Sequence, residues 1–404
     1  MGCGQCFALQ FPFGSDLSNC GNAAHIGMTQ TVFLFGPLCD AEFAEVILSK
    51  RATGQRALLH DYRLGVVAPS IMPCLVPEPG ASVDGIVVAV DAPALARLDI
   101  FFGLHSAERF GVVVEGAGTK MAALAYHVGR QPSDPVSTGW TEDQSQIMHL
   151  ATTEIMGLAD RAPITALHAR WPMALAHAAS QVRARKGDDP AQLRKDWTRN
   201  DVELVHGAMP YAWYFAVAED DLRFRQFDGA FSAVVKRAGL VMSDAVTVLP
   251  YDPVRDMVMV IEQFRFGPWL RGAGNAWLLE PIAGRVDPFE SPQDCALREA
   301  QEEAHITLRA DVLMSVGHVY PSPGAITEFL YQFVALCDLP EGSDGVAGLD
   351  SEAEDIRSHL VPFDRLMALI ASGEVQNGPL VQSAYWLALN RDRLRADAVP
   401  QDGG

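Results

Sequence analysis

Ala283-Gly284-Arg285-Val286-Asp287-Pro288-Phe289-Glu290-Ser291-Pro292-Gln293-Asp294-Cys295-Ala296-Leu297-Arg298-Glu299-Ala300-Gln301-Glu302-Glu303-Ala304-His305-Ile306 reads as a loop that runs into a helix. Ser291 can cap that helix, Pro292 fits a first turn where no amide donor is needed, and Asp294 sits at the reciprocal capping position. The spacing predicts a helix over about 292–304. Leu297, Ala300 and Ala304 then form a thin apolar seam, while Glu299, Glu302 and Glu303 share another face at i, i+3 and i+4. Like charges so placed cost an isolated helix about 0.2–0.5 kcal/mol per pair, so the arrangement calls for a cation. Hard oxygen ligands suit Mg²⁺ or Mn²⁺. Arg298 can hold one carboxylate in place, and the preceding loop can bring the carbonyl of Ala283 and a fourth carboxylate, Glu290, to the same point.

An acidic helix is more often simply a solvated face. Here the spacing decides otherwise, because Gly284, Glu290, Arg298, Glu299, Glu302 and Glu303 all fall in one pattern. At average residue frequencies those six would coincide at roughly one in ten million per register. The pattern resembles the signature of the Nudix hydrolases, which cleave a nucleoside diphosphate linked to some other group. Two positions depart from it. Ala300 is smaller than the usual branched aliphatic, and His305 stands where the family has a helix-ending glycine. A left-handed non-glycine residue costs on the order of 1 kcal/mol, so weaker local stability with metal binding intact is expected.

The chain has 404 residues, enough for two or three domains, and a formal net charge of −19. That charge argues against a nucleic-acid or anionic-membrane partner. Seven cysteines at 3, 6, 20, 39, 74, 295 and 337 form no repeated framework, which suits a reducing cytoplasm. Cys3 and Cys6 have no second pair with which to hold a metal. No apolar run is long enough to span a bilayer. Residues 1–27 lack any Lys or Arg and read as a disordered extension or a start assigned too early, and 396–404 as a disordered tail.

From Val32 the sequence reads as a small domain over 28–130. Val32–Phe35 is a strand candidate, Asp40 opens a helix carrying Phe43, Val46 and Ile47, and strands are expected at 84–90, 109–115 and 121–127. Phe35-Gly36-Pro37-Leu38 and Leu98-Asp99-Ile100-Phe101 make this region resemble the gamma-glutamyl cyclotransferase-like fold. The resemblance implies a glutamate proton shuttle directly after the second run. Phe102 occupies that place, and a phenyl ring accepts no proton. A catalytically silent domain is expected.

Residues 131–207 read as a linker with helices: Thr141 and Gln144 make a capping box, and a second helix is expected to start near Pro172. Residues 208–395 alternate as strands in Tyr211–Val217 and Leu222–Phe227, joined by Glu219-Asp220-Asp221, and again around Asp252-Pro253. The fold class is therefore α/β in the α+β sense. A mixed-sheet α/β/α sandwich follows a small mixed β domain and a helical linker.

Ile261–Arg265, Trp277–Glu280, Ser322–Glu328 and Ser351–Ile356 make the segment similar to the ADP-ribose pyrophosphatase branch of the Nudix hydrolases. The resemblance implies hydrolysis of ADP-ribose to AMP and ribose 5-phosphate with Mg²⁺ held by Glu299, Glu302, Glu303 and Ala283. It places Arg237, Arg265, Glu328 and Gly324 at the substrate, and Glu352, with Glu354 in reserve, as the base that orients water. It further implies a homodimer built on the strands at 211–227. The domain order resembles two-domain proteins associated with tellurite resistance. Another nucleoside diphosphate substrate, or a sensor that binds without turnover, remains open on the residues alone.

Overall fold

The computed structural model describes residues 29–398 other than 52, 68–69, 130–138, 188–189 and 349–354. The expected extension over 1–27 lies outside the described residues, as do 399–404 of the expected tail.

The first domain contains β1 (Gln30–Phe35), α1 (Ala41–Leu48), β2 (Gln55–Val66), β3 (Pro73–Val90), α2 (Ala92–Leu104), β4 (Ala107–Gly116) and β5 (Thr119–Val128). The strands close into a barrel in the order β1-β3-β2-β4-β5, with β1 meeting β5 in parallel at Val32 and Leu124. Gly36, at φ 56°, turns the chain out of β1, a conformation that costs a glycine little. Asp40 then caps α1 by accepting from the amide of Phe43 at 2.9 Å.

Inside the barrel, Phe102 is 2% exposed and stacks on Tyr126, with ring centroids 3.9 Å apart and planes 7° apart. The space left beside the pair is about 10 Å³, room for roughly one water. The ring thus fills the barrel interior at position 102. Phe102→Glu is expected to lower stability by about 3–5 kcal/mol, because it trades buried aromatic contact for a carboxylate without a cation. Urea unfolding checks this, and no cyclotransferase activity should appear.

α3 (Glu142–Leu158) begins at the Thr141–Gln144 capping box as expected. α4 spans Ile164–Lys186 with Pro172 in its interior, so the second helix starts a full two turns earlier than proline placement suggests. Burial of Arg170, Trp171, Met173 and Ala174 around Pro172 holds the helix through it. Both helices join the barrel in one core, through Ile147, Ile155, Leu167 and Ala178.

Next come β6 (Val202–Ala212), β7 (Ala216–Phe224), β8 (Val235–Val241), β9 (Ala245–Asp252), β10 (Met257–Phe264), α5 (Phe266–Arg271), β11 (Trp277–Glu280) and β12 (Ile282–Arg285). α6 (Pro292–Ala304), β13 (Leu313–Val319), β14 (Leu330–Leu336), β15 (Val346–Ala347), β16 (Ile356–Pro362), α7 (Phe363–Ser372) and α8 (Gly378–Ala398) complete the chain.

β6, β7 and β8 form their own three-stranded sheet. Glu219-Asp220-Asp221 lies within β7 rather than in a turn, and the turn falls at 213–215 instead. Cross-strand cations explain this: Lys236 stands 3.0 Å from Asp221 and 3.5 Å from Glu219, and Arg237 lies opposite Asp220. β6 also begins at Val202, before the expected boundary at 208.

The remaining strands form one mixed sheet, β13-β14-β9-β10-β16-β15, with β11 on β10 and β12 on β9. α6 packs on one face over Val246, Val248, Ile261 and Phe333. α7 and α8 cover the other over Leu249, Tyr251, Val260 and Val334, giving the expected α/β/α sandwich. α8 runs to Ala398, so 396–398 are helical and not part of a disordered tail. Buried Leu394, and Arg395 at 2.5 Å from Asp256, hold its last turns.

Candidate active site

The capping signals of α6 are realised: the Ser291 hydroxyl accepts from the amide of Asp294 at 3.1 Å and donates to its carboxylate at 2.7 Å. Its far end closes on His305 at φ 56°, the left-handed position expected there. Cys295, Ala296, Ala300 and Ala304 are buried against the sheet. That seating fixes where the carboxylates point.

Glu303 is 2% exposed and accepts from the amide of Ala283 at 2.9 Å, which ties the helix to β12. Glu299 lies against Gly284 so closely that a Cβ there would stand 1.8 Å from Oε1. Glycine at 284 is therefore a cradle for that carboxylate, a reason that lies in the packing of helix on strand.

Arg298 does more than hold a single carboxylate. Its Nε and Nη2 donate to the two oxygens of Glu290, each at 3.0 Å, and Nη1 donates to Glu299 at 2.7 Å and Glu302 at 2.9 Å. Nη2 also donates to the carbonyl of Arg285 at 3.2 Å. Burial works against its charge, yet the bonds to Glu290 and the nearby Glu299 hold its pKa above the usual guanidinium value. Burial pushes the Cys295 thiol up, so it stays protonated and donates to the same Arg285 carbonyl at 3.3 Å.

The three carboxylates are consequently divided: Glu299 and Glu302 share Arg298, and Glu303 turns to β12. Among the described residues no three acidic, His or Cys side chains stand together as a formed metal cage. Arg298 supplies positive charge to the Glu299 and Glu302 side of this face. The donor set still suits a hard divalent cation, since it consists of carboxylate oxygens beside a backbone left open by Gly284.

A cavity of about 360 Å³ opens over Ala283 and Gly284. Arg265, Glu280, Glu328 and Asp244 contribute its polar wall, Tyr214 and Phe215 an aromatic one. Arg265 grips Glu280 through Nε at 2.9 Å and Nη2 at 2.6 Å. Burial raises the pKa of Glu328, with Arg265 pulling against it.

Of the expected substrate residues, Arg265 and Glu328 therefore meet in the cavity. Arg237 lies exposed on β8, its Nη1 on the carbonyl of Lys236, and Gly324 sits in an open loop; neither lines the cavity. Glu352 and Glu354 lie outside the described residues. Glu280 and Asp244 went unread as site residues. Glu280 stands at the end of Trp277–Glu280, a run visible in sequence as a strand but silent about its partner.

Asp244 is 2% exposed and is held from α4, by Arg183 Nε at 2.6 Å and by the Ser180 hydroxyl. Arg170 of the same helix donates to the carbonyl of Tyr214 at 3.1 Å. The helical linker is thus part of the cavity's scaffold, a role no local sequence signal announces.

Two family models match the chain: a NUDIX domain over residues 242–383, and a gamma-glutamyl cyclotransferase, AIG2-like domain over 32–142. The ADP-ribose pyrophosphatase of Haemophilus influenzae is 34% identical over 201 residues, 49% of this chain and 91% of that protein. That of Escherichia coli (strain K12) is 34% identical over 206 residues, 51% of this chain and 97% of that protein. The GDP-mannose pyrophosphatase of Enterobacter sp. (strain 638) is 32% identical over 155 residues, 38% of this chain and 78% of that protein.

Proposed function

The chain belongs to the Nudix hydrolases, and from that premise we propose that it hydrolyses the diphosphate of ADP-ribose to AMP and ribose 5-phosphate with Mg²⁺. The observation that supports this most is the cavity whose floor, Ala283–Gly284, is tied to Glu303 and pressed against Glu299, with Arg265 on its wall. Glu299, Glu302 and Glu303, with Ala283, would hold the metal. A bound Mg²⁺ neutralises the diphosphate and lowers the pKa of a water.

The chain's own residues do the rest. Arg298 keeps Glu299 and Glu302 aligned while Glu290 fixes Arg298 in turn. Arg265, set by Glu280, presents a planar fork to phosphate oxygens. Glu328, half-buried in the same cavity wall as Arg265, faces the substrate space. Glu352, or Glu354 beside it, is assigned to orient the attacking water.

AMP release from ADP-ribose, with and without excess EDTA, tests the reading, and GDP-mannose belongs in the same assay. Activity on ADP-ribose that chelation removes supports it. A wild-type protein that melts at higher temperature with ADP-ribose but releases no AMP with Mg²⁺ or Mn²⁺ would instead be a sensor.

A homodimer through β6–β8 belongs to the same proposal. Leu204, Val205, Tyr211 and Trp213 stand 45–60% exposed on that sheet and its turn, more apolar surface than an isolated sheet carries at ease. Sedimentation velocity should give twice the chain mass, and a single-chain mass at micromolar concentration would refute the dimer.

A further inference from the structure

Next to the substrate cavity lies a larger pocket of about 590 Å³, bounded by the barrel, α3, α4 and the loop after β12. Leu104, Met148, Trp171, Leu175 and Phe289 make its walls mainly apolar, and its size is that of a small-molecule site.

The pocket's polar groups are mostly committed. Glu290 is taken by Arg298, and the Ser70 hydroxyl lies 3.1 Å from Nδ1 of His105, whose Nε2 is buried without a hydrogen-bond partner. Burial brings the pKa of His105 down to about 4, so its ring is neutral near pH 7. Asp287 belongs to the exposed rim.

Arg285 is different. It is half-buried, and among the described residues no carboxylate pairs with it. Its Nη1 donates to the Tyr214 hydroxyl at 2.9 Å, and the Tyr214 ring lies 5.7 Å from the guanidinium carbon. Its fork matches carboxylate, sulfonate or phosphate oxygens. Arg285 also lines the substrate cavity, as does Met173, so the two spaces share a wall.

We propose that the pocket is a second ligand site, for an organic anion with a flat or branched apolar body. The acidic group sits on Arg285, and the body packs against Trp171, Met148, Leu104 and Phe289. Occupancy draws Arg285 away from the neighbouring cavity, so the ligand raises the KM for ADP-ribose and leaves kcat unchanged. Binding itself does not depend on turnover.

The probe is 8-anilinonaphthalene-1-sulfonate on the full chain, read by its fluorescence. Saturable binding of one probe per chain is expected, weakened at least about tenfold by Arg285→Met. Ala176→Phe and Leu175→Trp fill the pocket and should remove saturable binding while ADP-ribose hydrolysis continues. A melting curve shows which of the two fillers is folded and so is read. In wild type the probe should raise KM several-fold, and in the folded filler it should not. Saturable binding that survives Arg285→Met and the folded filler would place the probe on the exposed apolar surface and overturn the proposal. So would the lack of any saturable binding. An enzyme inactive on ADP-ribose that still binds one probe through Arg285 would remove the proposed reaction and leave the second site standing.

Discussion

Glu303→Gln should lower kcat for ADP-ribose by about 10²–10⁴-fold while the protein stays folded. Glu303 is almost wholly buried, and one of its oxygens accepts from the amide of Ala283. A glutamine has the same length, and its carbonyl oxygen can take that hydrogen bond, so α6 remains tied to β12. What it cannot keep is the second anionic oxygen, because an amide NH₂ donates and binds no cation. Loss of rate with a melting temperature within a few degrees of wild type therefore separates metal ligation from scaffolding. A variant that keeps more than about a tenth of the rate, a change under about 1.4 kcal/mol, would show that Glu303 serves only to hold the strand.

The helix that carries this residue could be read from sequence because all its determinants are local. Ser291, Pro292 and the apolar seam act within a few residues, and His305 took the left-handed place expected of it. β2 could not be read in the same way. Asp61, at φ 62°, interrupts its pairing with β3 between His60 and Tyr62, so the alternation slips there. The first half of β3 is hidden likewise, since Pro73, Pro77 and Pro79 count against a strand on propensity while the barrel still pairs it.

At the candidate site the division is similar. The residue types of a cation site stand out in sequence, but their partners do not. Nothing near Asp244 signals that Arg183, sixty-one residues earlier, holds it. Nor does the acidic face of α6 reveal that Arg298 links Glu290, Glu299 and Glu302. Such contacts are set by the docking of one element on another.

Gly284→Ala should show that docking at its most sensitive point. The new Cβ would lie 1.8 Å from Oε1, 1.9 Å from Cδ and 2.4 Å from Cγ of Glu299, so the carboxylate has to leave its place. No left-handed backbone is involved at 284, and β12 itself can carry an alanine, so the damage falls on the side chain. Overpacking of this kind costs typically about 1–3 kcal/mol of stability. The larger effect is on rate: displacement of a catalytic group by about 1 Å costs on the order of 10²-fold. Because Glu299 shares Arg298 with Glu302, both carboxylates lose alignment together. Single-turnover AMP release measures the loss, and a double-mutant cycle with Glu299→Ala assigns it. If the glycine acts through Glu299, adding Gly284→Ala to Glu299→Ala should cost little more, whereas additive losses would mean that residue 284 acts on the substrate directly.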